Sequence, residues 1–275
     1  MTRYFFSLIS LSVLIVSTVY SAKTAAKETV TIAQEPRTLY KRDAYLKELL
    51  QRALDAANYS AQLESVVVHP HQQRALIALA DNSVDLYWSM TSPERETLAI
   101  PIKVPLFKGY IGKRALVTRQ LFLNRFADIK SKEQLKGFTA IQGHDWPDTK
   151  ILAYNDLSVR PFANYQAMFN IVLTGRVDYF PRSFIEVSSE LKEVNKQALV
   201  IVPNLYISYP SAFYYFVAKH KPELAKTLSD GLAIMQKNGS FDELFNQYFG
   251  DDLNALPFDP QNTVEIKLEN PYFNH

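Results

Sequence analysis

The run Trp88-Ser-Met-Thr-Ser-Pro-Glu-Arg-Glu96 gathers more polar chemistry than any other short stretch of this chain. Thr91 and Ser92 offer hydroxyls, and Arg95 stands between Glu94 and Glu96. Such an arginine is a surface charge at a helix start, a catalytic group, or a clamp for an anion. The clamp suits guanidinium chemistry, because its planar fork of donors matches two oxygens of a carboxylate or phosphate. The competing arrangement pairs Arg95 with one of the flanking glutamates. Trp88 closes a strand-like run at its C-terminal end, where crevices form in α/β proteins. It suits stacking on a flat or apolar ligand part as well as it suits core packing.

Other reactive side chains are scattered. His69 and His71 lie on one loop and His144 beside Asp145 on another, which raises transition-metal binding. Their spacing matches no strong metal motif, and loop histidines commonly serve as polar surface, so no metal site is assigned. Arg182 has Glu186 four residues on, within reach across a helical turn. There is no G-x-S-x-G, no H-E-x-x-H, no Walker loop and no Rossmann glycine pattern, and only 8 glycines are available for phosphate-cradling loops. These absences point away from an enzyme and from a cofactor.

The elements that must position these residues alternate between strand-like and helix-like runs. TVTIA (29–33), LESVVV (63–68) and VDLYWSM (84–90) read as strands. Between the first two, Leu46, Leu49, Leu50, Ala53, Leu54 and Ala57 recur at helical spacing, with Asp43 as N-cap; QQRALIALAD is a shorter helix. A second block holds FTAIQ (138–142), a turn and helix after Gly143, a helix carrying Met168, Ile171 and Val172, and strands at 177–180 and 198–203. An aromatic strand follows, then a helix starting at Pro222, and Ser240 with Glu243 forms a capping box for the next helix. The tail offers one more strand. This order implies an α/β protein of two blocks, with strands near 114–119 and 213–219 carrying the chain out and back. A groove between two such blocks is a common place for a small ligand.

Composition bounds the partners. Hydrophobic residues make up 47% and charged residues 21%, as in a globular chain, and a net charge of +2 gives no reason to expect nucleic acid. After Arg3, YFFSLISLSVLIVSTVY is an uncharged apolar run followed by small and polar residues, which reads as a secretory signal peptide (1–21) cut after Ser21 or Ala22; a retained single-span anchor is the alternative. The chain has no cysteine, hence no disulfide framework and no lipoprotein anchor.

The order of these motifs resembles the periplasmic solute-binding proteins of the amino-acid-binding class, often called family 3. NSVDLYWSMTSPERE resembles the family's strand end with its hydroxyl and arginine, and ADIKSKEQLKGFTAIQG the opening of its second lobe. LTGRVDYFPRS resembles its Gly-Arg-Val-Asp strand, and KPELAKTLSDGLAIMQKNGSFDELFNQYFG its closing helix pair. The resemblance implies two α/β lobes joined by a two-strand hinge, with a ligand cleft between them. The expected division is 28–116 plus 217–262 for lobe one, 117–216 for lobe two and 263–275 for a tail. It also implies that Arg95 grips a ligand carboxylate, with Thr91 and Ser92 as donors and Trp88 nearby. Gly143 and His144 stand where the family has Gly-Thr at a helix N-terminus, suited to an anion, with Asp145 as the cap. Arg182 stands near where the family places an aspartate for the ligand ammonium; a cation there leaves that job to Glu186 or points to another ligand. The expectation is a monomeric periplasmic protein that closes on a small polar, anionic solute without chemistry. Its partner is a membrane transporter permease or, alternatively, a membrane-bound sensor.

Overall fold

The computed structural model describes residues 27–36, 41–69, 71–194 and 198–273. The expected signal peptide lies outside the described residues. Within them, no helix is long and apolar enough to cross a membrane.

The first half runs β1 (Glu28–Gln34), α1 (Lys41–Ala56), β2 (Ala61–Val67), α2 (Gln72–Ala80), β3 (Leu86–Met90), α3 (Pro93–Leu98) and β4 (Ile100–Ile102). The chain then enters β5 (Lys113–Arg119), α4 (Lys132–Leu135), β6 (Thr139–Gly143), α5 (Pro147–Tyr154), β7 (Ser158–Phe162), α6 (Tyr165–Leu173), β8 (Phe180–Ser183), α7 (Val187–Val194) and β9 (Leu199–Ser208). It returns through β10 (Phe213–Val217), α8 (Pro222–Asn238) and α9 (Ser240–Asn254), and finishes with β11 (Val264–Lys267).

Two main sheets result. The first has the order β2-β1-β3-β10-β4, with β1 parallel to its neighbours and β10 antiparallel to β3, pairing Tyr215 with Trp88. Every residue of β3 and β10 is buried, as expected of central strands covered on both faces. The apolar stripe of α1, from Tyr45 to Leu54, packs against one face; Ala75, Leu76 and Leu79 of α2 pack with Tyr87, Tyr214 and Phe216 on the other. The second sheet has the order β11-β9-β5-β8, and β6 pairs in parallel with β7 beside it. Pro161 is tolerated in β7 because that strand has β6 as its single partner.

By sheet membership β5 belongs to the second lobe and β10 to the first. The passages between them are 103–112 and 209–212, and they touch: the Tyr209 N–H donates to the Gly112 carbonyl at 3.1 Å. A Cβ on Gly112 would stand 2.1 Å from the Tyr209 carbonyl oxygen, so only glycine allows this approach. A third passage follows α9, since β11 pairs with β9 of the second sheet.

Three expected caps differ. Gly239, at φ 84°, ends α8 and caps α9 directly, so Ser240 is already helical and bonds back to Asn238 at 2.7 Å; the capping box does not form. Asp43 lies inside the first turn of α1, where its carboxylate is taken by Arg42 and Trp88. Asp145 does not cap α5, whose N-cap is Trp146; its carboxylate accepts the Gln73 N–H at 3.1 Å, in the first turn of α2 on the other lobe.

Candidate functional site

The Ser-Pro-Glu-Arg segment builds its own geometry. Ser92 is extended and caps α3, accepting the Arg95 N–H at 3.3 Å, and Pro93 starts the helix. This turn throws the Arg95 side chain back under β3, where the residue is only 3% exposed. Its guanidinium donates to the Ser89 hydroxyl, to the Met90 carbonyl at 3.0 Å, to Gln72 Oε1 at 3.0 Å and, across the cleft, to the Asp145 carbonyl at 2.9 Å. All four acceptors are neutral. Among the described residues no carboxylate lies within ion-pair distance of this guanidinium, so the expected alternative of a pair with Glu94 or Glu96 is not formed. Burial lowers its pKa despite the attraction of more distant groups, Asp145 and Asp148 among them.

The other buried arginines are treated differently. Arg42 donates to Asp43 at 2.8 Å and to Glu186 at 2.7 Å. Arg182 holds Glu190 with two donors at 2.7 and 2.5 Å and reaches Glu186 at 3.0 Å. Arg114 pairs with Asp148 at 2.5 Å and lies 3.7 Å from Glu186. Tyr209 joins them, accepting from Arg114 at 2.9 Å and donating to Asp148. Each arginine thus has its own acid, and Glu186 is shared by all three. Burial acts to lower the pKa of these guanidiniums, but their carboxylates outweigh it and hold them above the ordinary value. Burial likewise opposes the charge on Glu186, yet Arg182, Arg42 and Arg114 bring its pKa down to about 2.

This network fills the inner cleft. The space left beside Arg42, Met90, Arg114, Asp148 and Glu186 is about 30 Å³. That is the share of one water molecule, ~30 Å³. A larger chamber of about 180 Å³ lies further out, lined by Ser92, Arg95, His144, Trp146, Lys150 and Tyr272 among others.

The sequence-derived candidates therefore separate. Ser92, Arg95 and His144 meet at the outer chamber. Gly143 supports it from below: a Cβ there would come 2.4 Å from the Trp146 ring, so glycine lets the indole lie against the backbone. Arg182 lines the inner cleft with its donors already held by Glu186 and Glu190; the i,i+4 pair weighed from the sequence is present and Glu190 extends it. Thr91 turns its hydroxyl to Glu96 at 2.7 Å, and Trp88 donates to Asp43 at 3.2 Å within the core, so neither faces the chamber. His69, His71 and His144 form a row with ring centroids 4.5 and 4.6 Å apart. Among the described residues, no group of three or more His, Asp or Glu is placed to hold a metal ion.

Arg42, Asp43, Arg114, Asp148, Glu190, Tyr209 and Tyr272 were not candidates in the sequence. Arg114 sits in β5 between Lys113 and the apolar run Ala115–Val117, and Asp148 follows the helix-starting Pro147; a charge at the edge of a buried run is the one local sign Arg114 carries, and Asp148 carries none.

Two lobes of mixed α/β sheet, crossing segments in contact and a cleft between them define the bilobal fold of periplasmic amino-acid-binding proteins. Solved structures of that fold match about four fifths of this chain. An ancestral arginine-binding protein bound to arginine superposes with a TM-score of 0.60 at 19% identity, covering 82% of this chain and 99% of its own. The GluR0 ligand-binding core from Nostoc punctiforme, in complex with glutamate, gives 0.58 at 16% identity over 81% and 99%. A histidine kinase sensor domain with similarity to periplasmic binding proteins gives 0.59 at 17% identity over 82% and 97%. No family model matches the sequence, and no curated protein matches it.

Proposed function

We propose that this chain is an exported solute-binding protein. It captures a small polar solute carrying an anionic group by closing its lobes, without chemistry, and delivers it to a membrane transporter from the periplasm. The observation that carries this reading is Arg95: a guanidinium buried in the cleft with neutral partners, while the three other buried cleft arginines each have a carboxylate. A ligand carboxylate replacing the Asp145 carbonyl would exchange a neutral acceptor for a charged one, and such bonds are about twice as strong. Contacts from both lobes to one solute favour the closed form and so couple binding to closure. The neighbours bound to arginine and to glutamate hold ligands that also carry a carboxylate.

Titration calorimetry of the exported protein against amino acids and small carboxylates tests the proposal. Binding is expected, and Arg95→Ala should weaken it by about 10- to 100-fold, the worth of one charge-assisted bond at ~1.5–3 kcal/mol. Silence across the panel, or an Arg95→Ala variant indistinguishable from the parent, overturns it. The likeness to a histidine kinase sensor domain supports a second reading, in which the same closure signals to a separate membrane protein. Co-purification with a permease rather than a membrane sensor separates the two.

A further inference from the structure

We infer that the C-terminal segment forms part of the binding site, and that Tyr272 selects a solute with a flat apolar body beside its carboxylate. This rests on the solute-binding reading above. The inner cleft leaves about 30 Å³, whereas the outer chamber holds about 180 Å³. The latter is roughly six water volumes at ~30 Å³ each, room for a single small ring.

The walls of that chamber are aromatic and rigid. Trp146 is held from several sides: by Gly143 beneath it, by Phe180 stacked at 6.3 Å and 20°, and by the Arg182 guanidinium 5.1 Å from its ring centroid. Tyr272 supplies a second wall, with Lys150 Nζ 5.8 Å from its ring centroid. The segment bearing Tyr272 is pinned rather than draped. Leu268 N–H donates to Ser208 at 2.7 Å, Glu269 exchanges backbone bonds with the Asn155 amide at 3.0 and 2.8 Å, and Asn270 donates to the Pro210 carbonyl at 2.8 Å. Phe273 then packs against the apolar cluster of the first lobe, so the segment reaches both lobes at the chamber.

The same chamber carries charged groups. Arg95 brings its guanidinium, and Lys150 an ammonium whose partner Glu94 sits at 3.1 Å. Asp145 is engaged with the Gln73 N–H. Aromatic surfaces with one anion-seeking group match an aromatic monocarboxylate better than an aliphatic one.

Calorimetry with benzoate and lactate on the full exported protein tests this. Benzoate should bind at least about tenfold tighter than lactate, as expected from ring stacking plus apolar burial. Tyr272→Ala should weaken benzoate at least about tenfold more than it weakens lactate and so erase that preference, and Tyr272→Phe should keep it. Equal affinities in the parent, or a Tyr272→Ala loss shared by both probes, overturn the inference and leave the solute-binding reading standing. Failure of both probes to bind also overturns it; only if the amino-acid panel is silent as well does the wider reading fall.

Discussion

Glu186 shows how the cleft manages charge one residue at a time. Three guanidiniums converge on its carboxylate from both lobes, and it is buried. A neutral side chain here leaves each guanidinium its own acid but gives up the charge-assisted bonds from Arg42 and Arg182, worth about 1.5–3 kcal/mol each. Glu186→Gln should therefore lower stability by that order in chemical denaturation, far more than an exposed pair such as Lys226–Asp230 would. The pH dependence has a definite sign. The carboxyl titrates at about 2 in the folded protein against an ordinary 4.5. Its contribution is complete above pH 4.5 and is lost as the pH falls toward 2, so the unfolding midpoint should drop across that window and Glu186→Gln should flatten the drop. Arg95 was legible in the sequence because the Ser-Pro-Glu-Arg turn is local. The convergence on Glu186 was half legible: Arg182 lies four residues away, but Arg42 lies 144 residues away and nothing nearby announces it.

At the scale of elements, the loop from β6 into α5 decides the shape of the chamber. Gly143 allows Trp146 to lie on the backbone, and a methyl group there would collide with the ring at 2.4 Å. Gly143→Ala is expected to cost about 1–3 kcal/mol, as overpacking does, and to weaken solute binding by displacing the indole. A melting curve and a titration on the same variant check both. Strands and helices with a clear period were readable in advance, from α1 to the α8–α9 pair. Caps were less so. Ser240 had the right type and a glutamate three residues on, yet the left-handed Gly239 starts α9 one residue earlier. Asp145 had the right type for α5, yet it faces the α2 N-terminus, a donor that only the approach of the two lobes supplies. Short β7, with a proline and mostly exposed side chains, lacks any alternation that would mark it.

The whole molecule depends on contacts between the lobes. Arg42 of the first lobe meets Glu186 of the second, Asp145 ties the second to both Gln73 and Arg95 of the first, and the crossing segments touch at Gly112 and Tyr209. Gly112→Ala would push the Tyr209 carbonyl aside from 2.1 Å and so disturb the angle between lobes. Small-angle scattering of that variant is expected to show a larger radius of gyration, with solute affinity lower by about tenfold or more, since a shift of ~1.4 kcal/mol between open and closed forms suffices.

The sequence alone determined what is local or periodic: two α/β blocks, the long amphipathic helices, the aromatic return strand, and an arginine set by its own turn beside a crevice. These follow from spacing along a few turns or one strand, where neighbours in sequence are neighbours in space. Tertiary structure decided the rest. It paired each inner arginine with an acid and left Arg95 among neutral groups. It filled the inner cleft with charges drawn from α1, β5, α5, β8 and the turn after it, and brought Tyr272 from the tail to the chamber wall. Charge balance in a buried site is a property of residues far apart in the chain. Which cation is left without a charged partner is decided only once the lobes bring those residues within a few ångströms.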